Sequence, residues 1–271
     1  MVSTDMQLDE IIRQDRDSNG VLRVTLDDSA RRNALSSRML GELQEVLDAA
    51  RADTDVRVIV LAAMGPAFSA GHDLKEITRA RDGADNGRAF FEDLMAQCAQ
   101  VMQTIVNHPK PVIAEVTGVA TAAGCQLVAS CDLAYAAPTA RFATPGVHIG
   151  LFCSTPMVAL SRNVSNKAAM HMLLTGDMIS ADDAMRIGLI NQVVEVENLT
   201  EKTMETARTI AAKSSMTLAT GKTAFYRQRE MSLEQAYAYT SEVMVDNMMK
   251  QDAQEGIGAF VEKRTPHWRD Q

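Results

Sequence analysis

A mixed α/β fold is predicted by three features of the chain: two strand-loop-helix corners built from small residues, and a change to continuous helical periodicity at Asn198. Its 271 residues are 46% apolar, ample material for a large core. The expected division is an N-terminal extension over 1–20, an α/β core over 21–197 and a helical region over 198–271. Neither a second sheet nor a low-complexity linker is expected, and no repeat is evident in the sequence.

The extension carries Asp5, Asp9, Glu10, Asp15 and Asp17 against Arg13 and Arg16 and has no apolar centre. It therefore reads as neither a signal peptide nor an Arg-rich transit peptide, and a cytoplasmic protein is expected. Val21 to Leu26 alternates as a strand. Met39, Leu40, Leu43, Val46 and Leu47 then define one helical face, capped by Ser36 or Ser37.

The first corner follows. Val56 to Leu61 is an apolar strand, and AAMGPAFSAGHDLKEI passes through Gly65, Pro66 and Gly71 into a helix beginning near Asp73. Asp82 to Gly87 is a polar lead-in suited to a flap, and Gly87 to Val106 is a long amphipathic helix ended by His108 and Pro109.

The second corner lies in the stretch from Pro111 to Gly150. Val112 to Val116 reads as a strand broken at Thr117 and Gly118, and Ala122, Ala123 and Gly124 open a buried helix. Such bare residues allow tight packing of helix on sheet. They equally leave the unpaired amides of a helix N-terminus open to a polarised oxygen. Farther on, Ser165 and Ser180 are expected N-caps, Ser180 in a capping box with Asp183, and Gly176 and Gly188 are expected helix stops.

Several function classes are disfavoured. A net charge of −8 argues against a nucleic-acid surface. The uncharged run from Val116 to Cys131 is shorter than the roughly 20 apolar residues of a membrane span. Cys98, Cys125, Cys131 and Cys153 form no CxxC pair or metal pattern, so reduced thiols and no bound metal are expected. Gly118 to Gly124 fits neither the Walker A spacing nor GxGxxG, which disfavours a nucleoside triphosphate or dinucleotide enzyme.

AFSAGHDLKE, the block from Val112 to Gly150, LLTGDMISADDAMRIGLINQVV and EGIGAFVEKRTPHW together resemble the crotonase superfamily, the enoyl-CoA hydratases and isomerases. The resemblance spans Val21 to Arg269 and is strongest to the branch called enoyl-CoA hydratase domain-containing. It implies a ββα spiral core with a C-terminal helical region that builds homotrimers, often stacked as dimers of trimers. It also implies an acyl-CoA or enoyl-CoA thioester as substrate, with coenzyme A entering as part of it and no separate cofactor.

By the same resemblance, the amides of His72 and Ala123 form an oxyanion hole for the thioester carbonyl, a device whose single donors are worth roughly 3 to 4 kcal/mol of transition-state stabilisation. The two hydratase glutamates fall at Gln126 and Gly146, so both are absent. Gln accepts no proton near neutral pH and Gly has no side chain, so ordinary hydratase turnover is expected to be very weak. A different thioester reaction, isomerisation or hydrolysis, using Cys153, Ser154 and Thr155 with His148 or His72 as base is one alternative, and a non-catalytic acyl-CoA-binding or regulatory protein is another. Ser154 falls where some relatives place a loop carboxylate.

Coenzyme A contacts implied by the resemblance are Arg31 and Arg32 before Asn-Ala-Leu, the corner residues Ala70, His72, Asp73, Leu74 and Lys75, and Phe260 and Arg269 near the C-terminus. Lys263 and Arg264 are further candidate cations, and each cation serves as readily as a solvated surface charge. Asp27, Asp28 and Ser29 replace the usual Arg-Pro opening of the first loop.

Overall fold

The computed structural model describes residues 10–271, so Asp5 and Asp9 of the expected extension lie outside the described residues. The rest of that extension is not separate from the core. Ile12–Arg16 forms β1, antiparallel to β2 (Val21–Leu26), and the turn between them closes on the Asp17 carboxylate, which accepts the Asn19 and Val21 amides.

After β2, Ser36 accepts the Met39 amide and caps α1 (Ser37–Ala52), whose buried face includes Met39, Leu40, Leu43 and Leu47. β3 (Val58–Ala63), β4 (Ala67–Ser69), α2 (Leu74–Ala80) and α3 (Arg88–Val106) complete the first corner and its helices. The Asp82–Gly87 stretch folds as turns, and Asp85 accepts the amides of Gly87 and Ala89 at the start of α3. β5 (Val112–Val116), β6 (Val119–Thr121) and α4 (Ala123–Ser130) form the second corner. β7 (Leu133–Ala136), β8 (Arg141–Ala143), α5 (Pro156–Leu160), α6 (Asn166–Thr175), β9 (Ile179–Ser180), α7 (Ala181–Ile187) and β10 (Gln192–Val193) finish the spiral. Ser165 and Ser180 are the N-caps of α6 and α7, and Gly176 and Gly188 end them in the left-handed conformation.

Contrary to expectation, the described residues form two sheets. The larger runs β1-β2-β3-β5-β7-β10 and is parallel apart from the β1–β2 pair; the smaller runs β4-β6-β8-β9, with only β8–β9 antiparallel. The smaller one escapes a periodicity reading because its strands are two or three residues long. Each of the pairs β3–β4, β5–β6 and β7–β8 gives one strand to each sheet. Hydrogen bonding of β4 to β6 therefore brings the two corners side by side.

The main core packs α1, α3 and α4 against one side of this frame, around Leu43, Leu61, Phe68, Leu94 and Phe142. A second cluster joins Val58, Val60 and Ile113 of the large sheet to Leu199, Ala207 and Ala211 of α8 (Val196–Ala211). The remaining helices are α9 (Ser215–Gln228), α10 (Leu233–Met248) and α11 (Gln251–Glu262).

An ion pair ties α9 to the core. The Lys222 ammonium donates to Asp132 at 2.7 Å and to the Ile105 and Lys110 carbonyls, while the Tyr226 hydroxyl donates to the other Asp132 oxygen at 2.9 Å. Burial pulls the Lys222 pKa down and the Asp132 carboxylate opposes the shift. The C-terminal tail folds back so that Trp268 donates to the Ala212 carbonyl and Asp270 pairs with Arg57, just before β3.

Candidate functional site

The first corner is held from outside. Ala70 donates its amide to the Arg32 carbonyl at 3.1 Å, Leu35 donates to the Gly71 carbonyl at 2.8 Å, and the His72 Nδ1 lies 3.2 Å from the Leu35 carbonyl. Thr121 of β6 crosses to it, its hydroxyl donating to the Ala70 carbonyl at 3.2 Å.

Contact between the corners is backbone to backbone. Gly71 has φ +88°, and a Cβ there would stand 2.9 Å from the Ala122 methyl and 3.3 Å from the Ala123 nitrogen. A Cβ on Gly124 would stand 2.2 Å from the Ser69 carbonyl oxygen. Ala122 takes φ 50°, ψ −119°, a conformation that favours glycine, and its amide donates to the Ala143 carbonyl. Ala123 is the first residue of α4, so its amide has no acceptor within the helix and lies at the positive end of the helix dipole. The carbonyl of Gly71 is engaged by Leu35, while the next amide along the chain, that of His72, belongs to the same corner.

Side chains around the corners hold few proton acceptors. Contact with the Leu35 carbonyl makes the His72 Nδ1 a donor, and in the neutral ring Nε2 is then an acceptor, buried and without a partner among the described residues. Burial lowers the His72 pKa, which the Leu35 carbonyl and Glu76 only partly offset. Gln126 is 5% exposed, and the Cys98 thiol points at its side-chain oxygen from α3 at 3.9 Å. Gly146 is buried, and its amide donates to the Cys153 sulfur at 3.3 Å. A Cβ on Gly146 would come within 2.8 Å of the Leu151 carbonyl oxygen and 2.9 Å of the Cys153 sulfur. The loop thus fills the space into which a side chain at position 146 would extend.

That loop forms no nucleophile-base pair. Burial raises the Cys153 pKa, against which the Gly146 amide acts only in part. The Ser154 hydroxyl donates to the Phe152 carbonyl, and the exposed His148 ring packs where a Cβ on Gly176 would fall. Burial likewise holds the Cys98 thiol up at about 11 and the Cys125 thiol at about 12.

The expected coenzyme A contacts divide into two places. Arg31 pairs with Asp28 at 2.8 Å and approaches Asp73 at 3.6 Å, and Asp73 caps α2 by accepting the Lys75 and Glu76 amides. Arg32, Leu74 and Lys75 are exposed beside them, and Ala70 lies in the corner itself. Phe260, 85% exposed on α11, and Arg269 in the tail belong to the other place. Arg269 donates its amide to Asp252 beside the Asp270–Arg57 pair, at the opposite end of β3 from the corner.

Sequence reasoning overlooked Asn33. It is fully buried at φ 50°, donates from its side-chain nitrogen to the Met64 and Ala67 carbonyls, and accepts the Asp28 amide. The available signal was an Asn in a short loop before a helix, since Asn tolerates the left-handed conformation better than other non-glycine residues.

Residues 16–271 match the family model described as enoyl-CoA hydratase/isomerase. The chain belongs to that family. A mouse relative named enoyl-CoA hydratase domain-containing protein 3, mitochondrial, is 49% identical over 254 residues, covering 93% of this chain and 83% of the relative. The crystal structure of the human protein 3 superposes with a TM-score of 0.90 at 46% identity, covering 96% of this chain and all of that one. An enoyl-CoA hydratase from Mycobacterium smegmatis gives 0.91 at 50% identity, with coverage of 96% and 99%. The family and the mixed α/β fold expected from the sequence are both met. The cytoplasmic expectation is corrected, because the mouse, rat and human relatives are all named mitochondrial.

Proposed function

We propose that this enoyl-CoA hydratase/isomerase-family protein binds an acyl-CoA thioester and polarises its carbonyl between the amides of His72 and Ala123. The observation that carries this reading is the meeting of the corners: Gly71 is close enough to Ala123 that a single methyl would reach its nitrogen to 3.3 Å. Negative charge growing on a thioester oxygen would find two amides there, one of them at a helix start, in a site where burial strengthens both.

The residues do not support ordinary hydration. Addition of water needs one group to take a proton from water and another to deliver one to carbon, and Gln126 and Gly146 supply neither. The Leu151–Cys153 loop beside Gly146 favours a second reading, a protein that holds an acyl-CoA without turning it over.

Calorimetry with butyryl-CoA and with coenzyme A tests the binding. The thioester should bind more tightly, and Ala123→Pro, which deletes one amide at a helix position that accepts proline, should remove most of that difference. Equal affinity of the wild-type protein for both would sink the proposal. Crotonyl-CoA hydration should lie at least about a hundredfold below an ordinary hydratase, and an ordinary rate would require a proton carrier other than these positions.

A further inference from the structure

Asn33 does more than fill a turn. Its side-chain nitrogen reaches across the Gly65–Pro66 turn to the carbonyls of Met64 at 2.9 Å and Ala67 at 2.8 Å, the residues that follow β3 and open β4. Its side-chain oxygen accepts the Asp28 amide at 2.8 Å, and its own amide donates to the Asp28 carbonyl at 2.9 Å. Asn33 itself is fully buried and so is its bond to Ala67, so its side-chain amide has no water to substitute for these partners.

The residues on either side of Asn33 grip the corner. Arg32 accepts the Ala70 amide, and Leu35 donates to Gly71 and accepts from the His72 ring. Residues 32–35 therefore run beside residues 70–72 as a short parallel bridge, with Asn33 anchoring it to the base of the same loop. The opposite side of Gly71 has no slack, because the Ala122 methyl and the Ala123 nitrogen lie against it.

We propose that Asn33 is a positioning residue that fixes the direction of the His72 amide relative to that of Ala123. The proposal rests on the reading that these two amides receive a thioester carbonyl. Asn33 touches neither amide, and its effect passes through the Met64–Ala67 turn and the 32–35 bridge. A rotation of the corner spoils the geometry at the carbonyl, over and above any loss of the coenzyme A contacts that Arg32 and the corner residues share.

The test separates these two parts of the ligand. Binding of butyryl-CoA and of coenzyme A is measured by calorimetry for the wild type, Asn33→Gly, Asn33→Asp and Leu199→Ala. Glycine keeps the left-handed φ and removes only the side-chain hydrogen bonds. Aspartate keeps the shape and turns an acceptor toward two carbonyls. Leu199→Ala damages the second core, away from the corner, and controls for lost stability.

Asn33→Gly should reduce the preference for butyryl-CoA over coenzyme A by about tenfold, as loss of one to two hydrogen bonds' worth of orientation would, any change in coenzyme A affinity cancelling in that ratio. Asn33→Asp should do at least as much damage, and Leu199→Ala should keep the preference. Asn33→Ser, which retains one donor, carries the same comparison if the glycine variant does not fold. Retention of the full preference in the Asn33 variants overturns the proposal, as does an equal loss in Leu199→Ala. Absence of any preference in the wild type overturns the thioester reading itself, a result visible before any variant is made.

Discussion

Gly146 offers the sharpest energetic test, because the addition of a single methyl there has a defined collision. In Gly146→Ala the new Cβ would meet the Leu151 carbonyl oxygen at 2.8 Å, the Cys153 sulfur at 2.9 Å and the Cys153 nitrogen at 3.3 Å. Gly146 does not have a positive φ, so the penalty is one of space rather than backbone conformation. Two of the three neighbours are backbone atoms, and the loop can yield only by stretching the Leu151 amide from the Gly146 carbonyl, now 2.9 Å away. Overpacking of this kind costs about 1–3 kcal/mol. For a chain of this size that corresponds to a melting temperature lower by about 2–5 °C. Cys153→Ala removes the sulfur collision but not the backbone one, so the double variant should recover part of the loss, with a coupling of about 1 kcal/mol in a double-mutant cycle. Chemical denaturation of the four proteins measures all of these quantities. A Gly146→Ala protein as stable as the wild type, or a coupling of zero, would refute the packing argument. The same collision predicts that restoring Glu at both 126 and 146 yields little hydratase activity unless the 150–154 loop is rebuilt as well.

Three further outcomes are expected. His108 is buried with Nε2 donating to the Leu47 carbonyl and Nδ1 accepting the Lys110 amide; burial, aided by Lys222 and Arg51, pushes its pKa down from the usual 6.5 to about 4. The unfolded chain therefore takes up this proton first, so the full contribution is present above pH 6.5 and up to about 3 kcal/mol is lost as the pH falls toward 4; urea titrations at several pH values should show that slope, and His108→Gln should flatten it. Lys222→Met leaves the half-buried Asp132 without its cation and should cost about 3 kcal/mol, whereas Lys222→Met with Asp132→Asn should cost less; equal loss in both would count against the ion pair. The exposed Tyr237, Met244, Val245, Met248 and Phe260 of α10 and α11 call for cover, and the family resemblance implies a trimer or a pair of trimers; sedimentation should find one of these, and a stable monomer at micromolar concentration would contradict this.

Much of the frame is legible in the residues because its signals are local. The β5 strand, the long α3 helix and the left-handed glycines after α6 and α7 follow from apolar runs and stop residues at their own positions. β1 is hidden because only Ile12 of its five residues is buried, so no alternation marks it. The small sheet is hidden because its two- and three-residue strands exist only through pairing with each other. Within the site, the small residues of both corners are visible in the sequence, but their contact is not: it depends on β4 lying beside β6, some fifty residues later in the chain. The plugging of the space beside Gly146 by Cys153 is likewise a long-loop event, and the several roles of Asn33 are shared with partners from Asp28 to Ala67.

Ala122 takes a backbone shape that glycine would adopt with less strain, yet its methyl is the group that Gly71 rests against. Position 122 can afford a side chain only because position 71 has none, and position 71 can hold its left-handed turn only while nothing larger than a methyl stands opposite. The pair behaves as a key and its ward: widening either tooth forces the two segments apart, and trimming Ala122 to glycine lets them slide. The spacing of the two amides is therefore written jointly in two residues that make no hydrogen bond to each other, and neither can be exchanged in design without choosing the other again.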